Sequence, residues 1–474
     1  MKYFMMKKYI LLLLLATAGK GYGQTITGRL QNAASLLQAD SQFIHAAIGM
    51  SVVDAATGQE LFNYNGGMGL APASCQKVIT SAAAFSLLSS SYRYKTTIGY
   101  RGIIKDSVLL GDLFITGYGD PTLGSWRWPA TAEEKVLQAI EKTLTQHGIK
   151  NINGALYCYD RNFESSTTPG GWPWEDIGNY YGAGAAAINW RENQYDLTLK
   201  PGNAIGDIVT VVSTTPALYN VTLHSEVTTA AKGSGDNAYI YLSPYSSFGY
   251  VRGTIPAGQA AFTISGAMPD AANQLALTLA DRLKKKGYNG LLYASSYNNS
   301  DVKNKNAPVT ATVLATLQSP PLDSINYWLL KKSINLYAEA LVKTIAFEKK
   351  QAGATATGLA LITNFWINKG IDAASLNLKD GSGLSPANRV TPQALVKVLQ
   401  YARQQSWYTS FYNALPEING IRMKDGYIAD VRSYAGYVKS ASGKEYIVAL
   451  IVNNFSGSAG RAREKIWRLL DILK

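Results

Sequence analysis

The first chemistry that the sequence suggests is a serine nucleophile with a lysine base. Ser74 and Lys77 lie three residues apart in a run that is rich in Ala, Val and Ile. On a helix, residues at this spacing share a face, with Cβ atoms about 5–6 Å apart. Burial lowers the pKa of a lysine, so a neutral Lys77 could accept the Ser74 proton without any histidine. The first helical turn also favours the negative charge that develops during attack.

The surroundings of this Ser-x-x-Lys pair separate it from a chance match. Ser300 and Lys303 have the same spacing, but they lie in a polar stretch that predicts a loop. An isolated pair of this kind is usually an ordinary surface pair. Ser74 instead opens an apolar segment that follows Pro72 and predicts a buried helix ending near Leu88. A lysine in such a helix requires a functional reason.

A Ser-x-Asn motif occurs twice within one helical segment. The first copy is Ser324 with Asn326, and the second is Ser333 with Asn335. Ser324 lies where a helix begins, so its hydroxyl is expected to satisfy backbone donors of its own first turn. Ser333 follows the expected end of that helix near Lys332. Since a loop between two helices can present a hydroxyl and an amide inward, the second copy is favoured.

A Lys-x-Gly motif also occurs twice. Residues 379–381 continue into a turn-rich stretch without a strand pattern, which indicates a loop that shares the letters by chance. Lys424, Asp425 and Gly426 instead open the strand-rich C-terminal region. A glycine on a strand lets another backbone approach closely, and the lysine supplies a fixed positive charge. The copy at 424–426 is therefore favoured, although Asp425 is an unexpected neighbour for a substrate carboxylate.

The elements that must position these residues follow an α+β pattern. Helices are predicted at about 26–37, 74–88, 270–286, 323–332, 336–346, 353–369 and 462–474, and strands at about 47–53, 60–64, 108–110, 113–115, 207–212, 434–438 and 445–452. Between about 92 and 300, short strand-like runs alternate with Gly, Asn and Pro turns. This change of texture predicts β-rich inserted material.

Composition limits the class of protein. The 474 residues carry a formal net charge of +13 and a hydrophobic content of 47%, which indicates a folded globular chain of two or three domains. Residues 1–23 predict a secretory signal peptide, because a basic start precedes a short apolar run and small residues. We therefore expect export to the periplasm or cell envelope, without an integral membrane segment in the mature form. Basic runs with interleaved aromatic residues are lacking, so nucleic acid is not an expected partner.

Cysteine and histidine usage argues against two other kinds of site. Only Cys75 and Cys158 are present, which excludes a disulfide scaffold but leaves a single bridge open. His45, His147 and His224 lie far apart in the sequence, without the spacing of a metal site. We therefore expect no metal and no other cofactor.

The three motifs in this order resemble the motif set of penicillin-recognising serine enzymes. More specifically, the chain is similar to the penicillin-binding protein 4 type of D-alanyl-D-alanine carboxypeptidase/endopeptidase. Further similar stretches extend over most of the chain: residues 111–113, 119–123, 171–174, 329–333, 380–385 and 434–438.

This resemblance implies a fold and a domain layout. Residues 24–92 and 304–474 would form a transpeptidase-like domain, an antiparallel sheet flanked by helices with an added helical lobe. Residues 93–303 would form two small β-rich domains inserted after the nucleophile helix, the inner one at about 175–270.

The resemblance also implies roles for the motif residues. Ser74 would attack a D-Ala-D-Ala carbonyl and form an acyl-enzyme, with Lys77 as the base. Ser333 would relay the proton to the leaving amine, and Asn335 would hold the substrate amide. Lys424 would stabilise this network and the anionic ligand.

The remaining implied residues lie around the third motif. The backbone N–H groups of Ser74 and Tyr427 would form the oxyanion hole. Gly426 would bind substrate together with its neighbours Lys424, Asp425 and Tyr427. The family usually has Thr or Ser where this chain has Asp425, and often another hydroxyl residue at Tyr427. Those hydroxyls are expected to receive the substrate carboxylate, which an ionised Asp425 would oppose unless a neighbouring cation neutralises it.

The expected function is therefore that of an exported serine DD-peptidase acting on peptidoglycan peptides, with β-lactams as covalent inhibitors. The expectation covers carboxypeptidase and cross-link endopeptidase activity. The alternative is a catalytically impaired homologue that binds peptidoglycan and serves as an envelope scaffold, because of Asp425. A β-lactamase or esterase on a related fold is disfavoured by the long insert.

Overall fold

The computed structural model describes residues 25–298, 311–349 and 352–474, which form an α+β protein. The predicted signal peptide and the Ser300–Lys303 pair lie outside these residues. The helices are α1 (Ile26–Ala39), α2 (Gln76–Leu88), α3 (Glu133–Gln146), α4 (Trp174–Ile177), α5 (Ala271–Lys285), α6 (Leu322–Lys332), α7 (Asn335–Glu348), α8 (Thr355–Ile367), α9 (Pro392–Arg403), α10 (Tyr408–Ala414) and α11 (Ala459–Leu470).

The strands fall into an N-terminal hairpin, a long central group and a C-terminal group. They are β1 (Ala47–Asp54), β2 (Glu60–Tyr64), β3 (Lys95–Lys105), β4 (Val108–Gly117), β5 (Asn151–Tyr159), β6 (Gln194–Lys200), β7 (Thr210–Thr215), β8 (Thr222–Ala230), β9 (Asn237–Tyr241), β10 (Phe248–Pro256), β11 (Phe262–Ala267), β12 (Leu291–Ser296), β13 (Thr312–Gln318), β14 (Leu376–Asn377), β15 (Arg389–Val390), β16 (Glu417–Ile418), β17 (Ile421–Ile428), β18 (Val431–Lys439) and β19 (Glu445–Asn453).

A six-stranded antiparallel sheet joins the two ends of the chain. Its order is β16-β17-β18-β19-β1-β2, with β1 paired to β19 along its whole length. The middle of β19 is buried on both faces, because α1 and α11 cover one face and the helical lobe covers the other. A strand covered on both faces reads as a continuous apolar run, which residues 446–452 do.

The helical lobe packs around α2 and α7. Residues 76–85 of α2 and 336–346 of α7 are buried throughout, including polar residues in both helices. Helices α6, α8, α9 and α10 complete the same hydrophobic core. A helix that is enclosed on every side can carry a charged residue only where partners meet it, so each polar side chain here needs a counterpart.

The central part of the chain forms a separate hydrophobic core. A five-stranded sheet of order β12-β5-β4-β3-β13 shares this core with α3 and α5. Two three-stranded sheets, β11-β6-β7 and β8-β10-β9, lie between β5 and α5 in the sequence. β13 begins beyond the predicted boundary at residue 303, and it pairs with β3.

Most predicted elements are confirmed, and several differ. The two strand-like runs at 108–110 and 113–115 belong to the single strand β4. Residues 74–75 belong to a 3-10 turn, Ala73–Cys75, which leads directly into α2 at Gln76. The strand expected at 207–212 begins at Thr210. Cys75 and Cys158 are separate, buried thiols, so the bridge that the sequence left open does not form.

The sequence predicts no membrane-spanning helix in the mature form, and the hydropathy of the helices bears on this expectation. Across the three described ranges, no helix combines the length and the apolar character that crossing a bilayer requires.

A hydroxyl of α7 connects the lobe to the central part of the chain. The Tyr337 hydroxyl accepts a hydrogen bond from Trp128 Nε1 and donates one to Glu192 Oε1, each at 2.9 Å. All three side chains are almost fully buried. Loss of this hydroxyl would leave a buried indole N–H without its acceptor.

Tyr337→Phe should therefore lower the free energy of unfolding by about 1–3 kcal/mol. Tyr195→Phe is the matched control, because its buried hydroxyl has no hydrogen-bond partner among the described residues and its removal should cost almost nothing. Urea unfolding of both variants measures the difference. Equal destabilisation by the two substitutions would contradict this assignment.

Candidate active site

Ser74 lies on the tight turn that precedes α2. The Pro72 carbonyl accepts hydrogen bonds from the Cys75 N–H, at 3.2 Å, and from the Ser433 hydroxyl. The first hydrogen bond closes the turn, and the second connects the turn to β18. The Ser74 side chain remains half-buried, so its oxygen can be reached from outside while the residues on either side of it are buried.

The Lys77 amine is enclosed by three oxygen atoms. Its Nζ lies 2.9 Å from Ser74 Oγ, 2.6 Å from Asn335 Oδ1 and 2.7 Å from the Ser382 carbonyl oxygen. A neutral amine has two N–H donors and one lone pair. Asn335 and Ser382 are acceptors for the two donors, so the lone pair is left for the Ser74 hydroxyl. The geometry therefore suits a base that removes the Ser74 proton.

The electrostatic surroundings favour this neutral form. Lys77 is fully buried. Burial, together with the positive charge of Lys424, lowers the pKa of Lys77 to about 7, while the carboxylates of Asp380, Glu339 and Asp425 act in the opposite direction. Near neutral pH, a substantial fraction of Lys77 is thus unprotonated.

The favoured Ser-x-Asn copy lies where α6 ends and α7 begins. Ser333 adopts a left-handed conformation with φ 58° and ends α6, and Asn335 is the first residue of α7. Asn335 accepts from Lys77 and donates through Nδ2 to the Tyr181 carbonyl oxygen at 2.7 Å. The copy at Ser324 lies inside α6, as expected for a residue of a first turn.

The favoured Lys-x-Gly copy lies on β17, against the serine turn. A Cβ atom at Gly426 would come within 2.9 Å of the Ser74 nitrogen and 2.7 Å of the Pro72 oxygen, so only glycine fits. The Lys424 carbonyl accepts a bond from Cys75 Sγ at 3.1 Å. Burial raises the pKa of the Cys75 thiol to about 12, which makes it an inert packing residue.

Lys424 and Asp425 form an ion pair beside the nucleophile. Lys424 Nζ donates to Asp425 Oδ1 at 2.9 Å and to the Asp425 carbonyl at 2.6 Å. The Lys424 side chain is 1% exposed and that of Asp425 is 43% exposed. Burial opposes ionisation of Asp425, but the nearby charges of Lys424 and Arg432 hold its pKa below the usual value. Asp425 is therefore a partly exposed anion.

Tyr427 completes the residues that were predicted on this strand. Its side chain is half-exposed, and the Arg432 guanidinium lies 4.0 Å from the centre of its ring. This cation–π contact fixes the ring at the rim of the site. The structure thus brings Ser74, Lys77 and Asn335 into direct contact and places the strand of Lys424 against them.

Comparison with known proteins decides the family. The model of the D-Ala-D-Ala carboxypeptidase 3 (S13) family matches residues 30–471.

The chain belongs to this family.

Individual relatives span most of the chain. A D-alanyl-D-alanine carboxypeptidase of Actinomadura sp. (strain R39) is 29% identical over 457 residues, covering 87% of this chain and 79% of the relative. The D-alanyl-D-alanine carboxypeptidase DacB of Haemophilus influenzae is 24% identical over 420 residues, covering 84% and 83%. The crystal structure of penicillin binding protein 4 from Haemophilus influenzae matches with a TM-score of 0.77 at 22% identity, covering 93% of this chain and 99% of that one. The fold is therefore that of the S13 family, as expected.

Two buried carboxylates of this S13 site lie outside the three motifs that the sequence analysis favours. Glu339 lies one turn after Asn335 on α7 and accepts hydrogen bonds from the N–H groups of Gly381 and Ser382. Burial and the neighbouring Asp380 raise the pKa of Glu339. The sequence signal for Glu339 is an acidic residue four positions after Asn335 in a largely apolar helix. Residues four apart on a helix share a face, so Glu339 is expected on the same side as Asn335.

Asp380 organises the loop that carries the Ser382 carbonyl. Its carboxylate accepts five hydrogen bonds, from the side chains of Gln76, Trp172 and Asn388 and from the backbone N–H groups of Gly383 and Ser385. Residues 379–381 form a loop and not a strand, as the sequence indicates, so the copy at 424–426 remains the favoured Lys-x-Gly. The sequence motifs alone assign no role to Asp380 in this loop. Lys379 is exposed, but the rest of the triplet forms a wall of the Lys77 pocket.

Asp380→Asn should destabilise the protein by about 2–4 kcal/mol, because one amide oxygen cannot replace a carboxylate that accepts five buried donors. Asp372→Asn is the matched control: Asp372 is an exposed cap that accepts from Ala374 N, and Asn caps about equally well. Thermal unfolding of the two variants compares them. A loss at Asp380 no greater than that at Asp372 would contradict the organising role.

Proposed function

We propose that the protein is an exported serine DD-peptidase that cleaves peptidoglycan peptides ending in D-Ala-D-Ala through an acyl-enzyme at Ser74. The observation that carries the proposal is the Lys77 amine, which is held 2.9 Å from Ser74 Oγ with acceptors for both of its hydrogens. The names of its relatives, both D-alanyl-D-alanine carboxypeptidases, support the substrate class. The signal-like residues 1–23 support export.

Acylation begins when neutral Lys77 removes the hydroxyl proton of Ser74. Ser74 Oγ forms a bond to the carbonyl carbon of the penultimate D-Ala, and the carbonyl electrons move to its oxygen. The N–H groups of Ser74 and Tyr427 stabilise that oxyanion. When the C–N bond breaks, the proton held by Lys77 reaches the leaving amine through the Ser333 hydroxyl, which restores the neutral amine.

Deacylation reverses these proton transfers with water in place of the amine. Water loses a proton to Lys77, attacks the Ser74 ester and releases the shortened peptide, and Ser74 Oγ takes the proton back. Asn335 serves twice in this scheme. Its oxygen orients Lys77, and the second hydrogen of Nδ2, which already donates one to the Tyr181 carbonyl, would donate to the substrate amide. A leaving amine from a neighbouring stem peptide would make the same steps an endopeptidase reaction.

β-Lactams are the proposed covalent probes of this site. A β-lactam presents a strained amide to the same nucleophile, and a crystal structure of the Haemophilus influenzae protein is described as a complex with a novel β-lactam.

The proposal predicts that fluorescent penicillin labels the wild-type protein and that Ser74→Ala abolishes the label. Ser81→Ala, a buried serine on the following turns of α2, is the control and should remain labelled. Equal labelling of wild type and Ser74→Ala would contradict the assignment, and rapid release of the label would favour a β-lactamase.

Asp425 determines how well the site accepts a free carboxylate. Its exposed charge repels the C-terminal carboxylate of a substrate, and its pairing with Lys424 occupies the cation that could otherwise attract that group. Replacement of the Asp425 carboxylate would leave Lys424 bonded to the carbonyl of residue 425 and would free the donor that now meets Oδ1 for a substrate carboxylate. The alternative function, a scaffold with little turnover, would have its cause at this residue.

Asp425→Thr and Asp425→Asn should therefore raise kcat/KM for release of D-alanine from a soluble D-Ala-D-Ala peptide by about tenfold. A peptide that ends in D-Ala-D-Ala amide is the control substrate, since it lacks the repelled charge and should gain much less. An unchanged or lower rate on the free acid in both variants would show that Asp425 is no handicap.

A further inference from the structure

An exposed aromatic surface covers one side of the three-stranded sheet β8-β10-β9. Side chains alternate along these strands, and Val227, Ile240 and Val251 point into the central core. The opposite side, named here the aromatic face, is formed by His224, Glu226, Tyr239, Tyr241, Phe248, Tyr250 and Arg252. A solvent-exposed sheet side more often carries small polar or charged residues, so this arrangement indicates a binding surface.

The strand register arranges the aromatic face in rows. Tyr250 lies opposite Tyr241 on one neighbouring strand and opposite His224 on the other, and Arg252 lies opposite Tyr239. Neighbouring strands are about 4.8 Å apart, so a row across the three strands is about 10 Å long. The row through Tyr250 and the row through Arg252 are two residues apart, which is about 7 Å at a rise of about 3.3 Å per residue. Together the two rows cover an area that matches one disaccharide unit of a polysaccharide.

A fixed cation lies within the aromatic rows. Arg252 Nε donates to Glu226 Oε2 at 2.6 Å. The Arg252 guanidinium also lies 4.9 Å from the ring centre of Tyr250 and 5.4 Å from that of Tyr241. Tyrosine and arginine are common at the centres of protein–protein contacts, but a glutamate such as Glu226 is depleted there. The charged pair is suited to a ligand with hydroxyl and amide groups around an apolar ring.

A short segment of chain links the aromatic face to the active site. The ring of Trp174, at the start of α4, lies 6.2 Å from the ring of Tyr241. The chain then runs from α4 to Tyr181, whose carbonyl accepts the hydrogen bond from Asn335. Seven residues of chain span at most about 25 Å, so one polymer is long enough to contact both Trp174 and the Asn335 side of the site.

We propose that the aromatic face binds the glycan strand of peptidoglycan and thereby holds the polymer while its peptide enters the catalytic site. The inference rests on the proposed function for its choice of polysaccharide. The C–H side of an N-acetylhexosamine ring packs on the tyrosine rings, while its hydroxyl and acetamide groups bond to Arg252, Glu226 and the phenol hydroxyls. The face recognises the sugar chain, and the Ser74 site recognises the peptide.

Binding of a peptide-free sugar tests this inference without any catalysis. The titration uses the N-acetylglucosamine hexamer and the Ser74→Ala protein, with heat as the readout. The double substitution Tyr239→Ala/Tyr250→Ala should weaken binding by about tenfold or more, and Arg252→Ala should weaken it by about threefold or more. Tyr293→Ala is the matched control, because Tyr293 is 41% exposed on a different sheet and Tyr239 is 43% exposed. Circular dichroism melting checks that each variant is folded.

The outcomes separate this inference from the proposed function. Binding that falls in the face variants and persists in Tyr293→Ala supports the glycan surface, whatever fluorescent penicillin shows at Ser74. Hexamer binding that is absent, or equal in all variants, overturns it even if Ser74 is labelled. Self-association of the protein that the face variants abolish, without affinity for the hexamer, would overturn it in favour of an interface between copies.

Discussion

The burial of the Lys77 amine is the constraint on which the rest of the site depends. A charged ammonium in a closed interior is costly, so the group becomes neutral or finds partners. The protein does both, because it supplies three oxygen atoms at hydrogen-bond distance and still lowers the pKa of Lys77 to about 7. Each oxygen comes from a different part of the chain, which forces the serine turn, the start of α7 and the loop at 380–385 to converge. Ser74 and Lys77, the proposed nucleophile and base, are thus positioned by the same contacts.

Helix α7 connects this pocket to the remainder of the protein. Asn335, Glu339 and Lys343 lie four residues apart on one face, so each meets a different neighbour of the helix. Asn335 contacts Lys77, and Glu339 holds the loop that carries the Ser382 carbonyl. Lys343 is buried and donates to the carbonyls of Ser166 and Ala185 in the central region. One polar stripe in a mostly apolar helix therefore joins the Ser74–Lys77 pocket to the region that bears the aromatic face.

Local patterns predict much of the fold, and long-range contacts explain what they miss. The spacing of Ser74 and Lys77 and the strand context of Gly426 are local, so the amino-acid sequence is enough to select these residues. The Ser382 contact is made by a backbone carbonyl, which has no signature in the sequence. Asp380 belongs to a second Lys-x-Gly and to a stretch similar to the family, but its role depends on donors as distant in the sequence as Trp172. The aromatic face depends on the register of β8, β9 and β10, and the sequence alone does not show which of their residues lie side by side. The roles of the motif residues and the domain borders stay predictions.

The ionisation of Lys77 is the central claim, and NMR can measure it directly. In protein labelled with ¹³C at the lysine ε-carbons, the Lys77 signal is assigned by its loss in Lys77→Met and then followed with pH. The account predicts a midpoint near 7, with the charged amine below it and the neutral base above it, because burial and Lys424 disfavour the proton. A midpoint near the ordinary value of 10.5 would mean that Lys77 stays charged at neutral pH, and it would contradict Lys77 as the base.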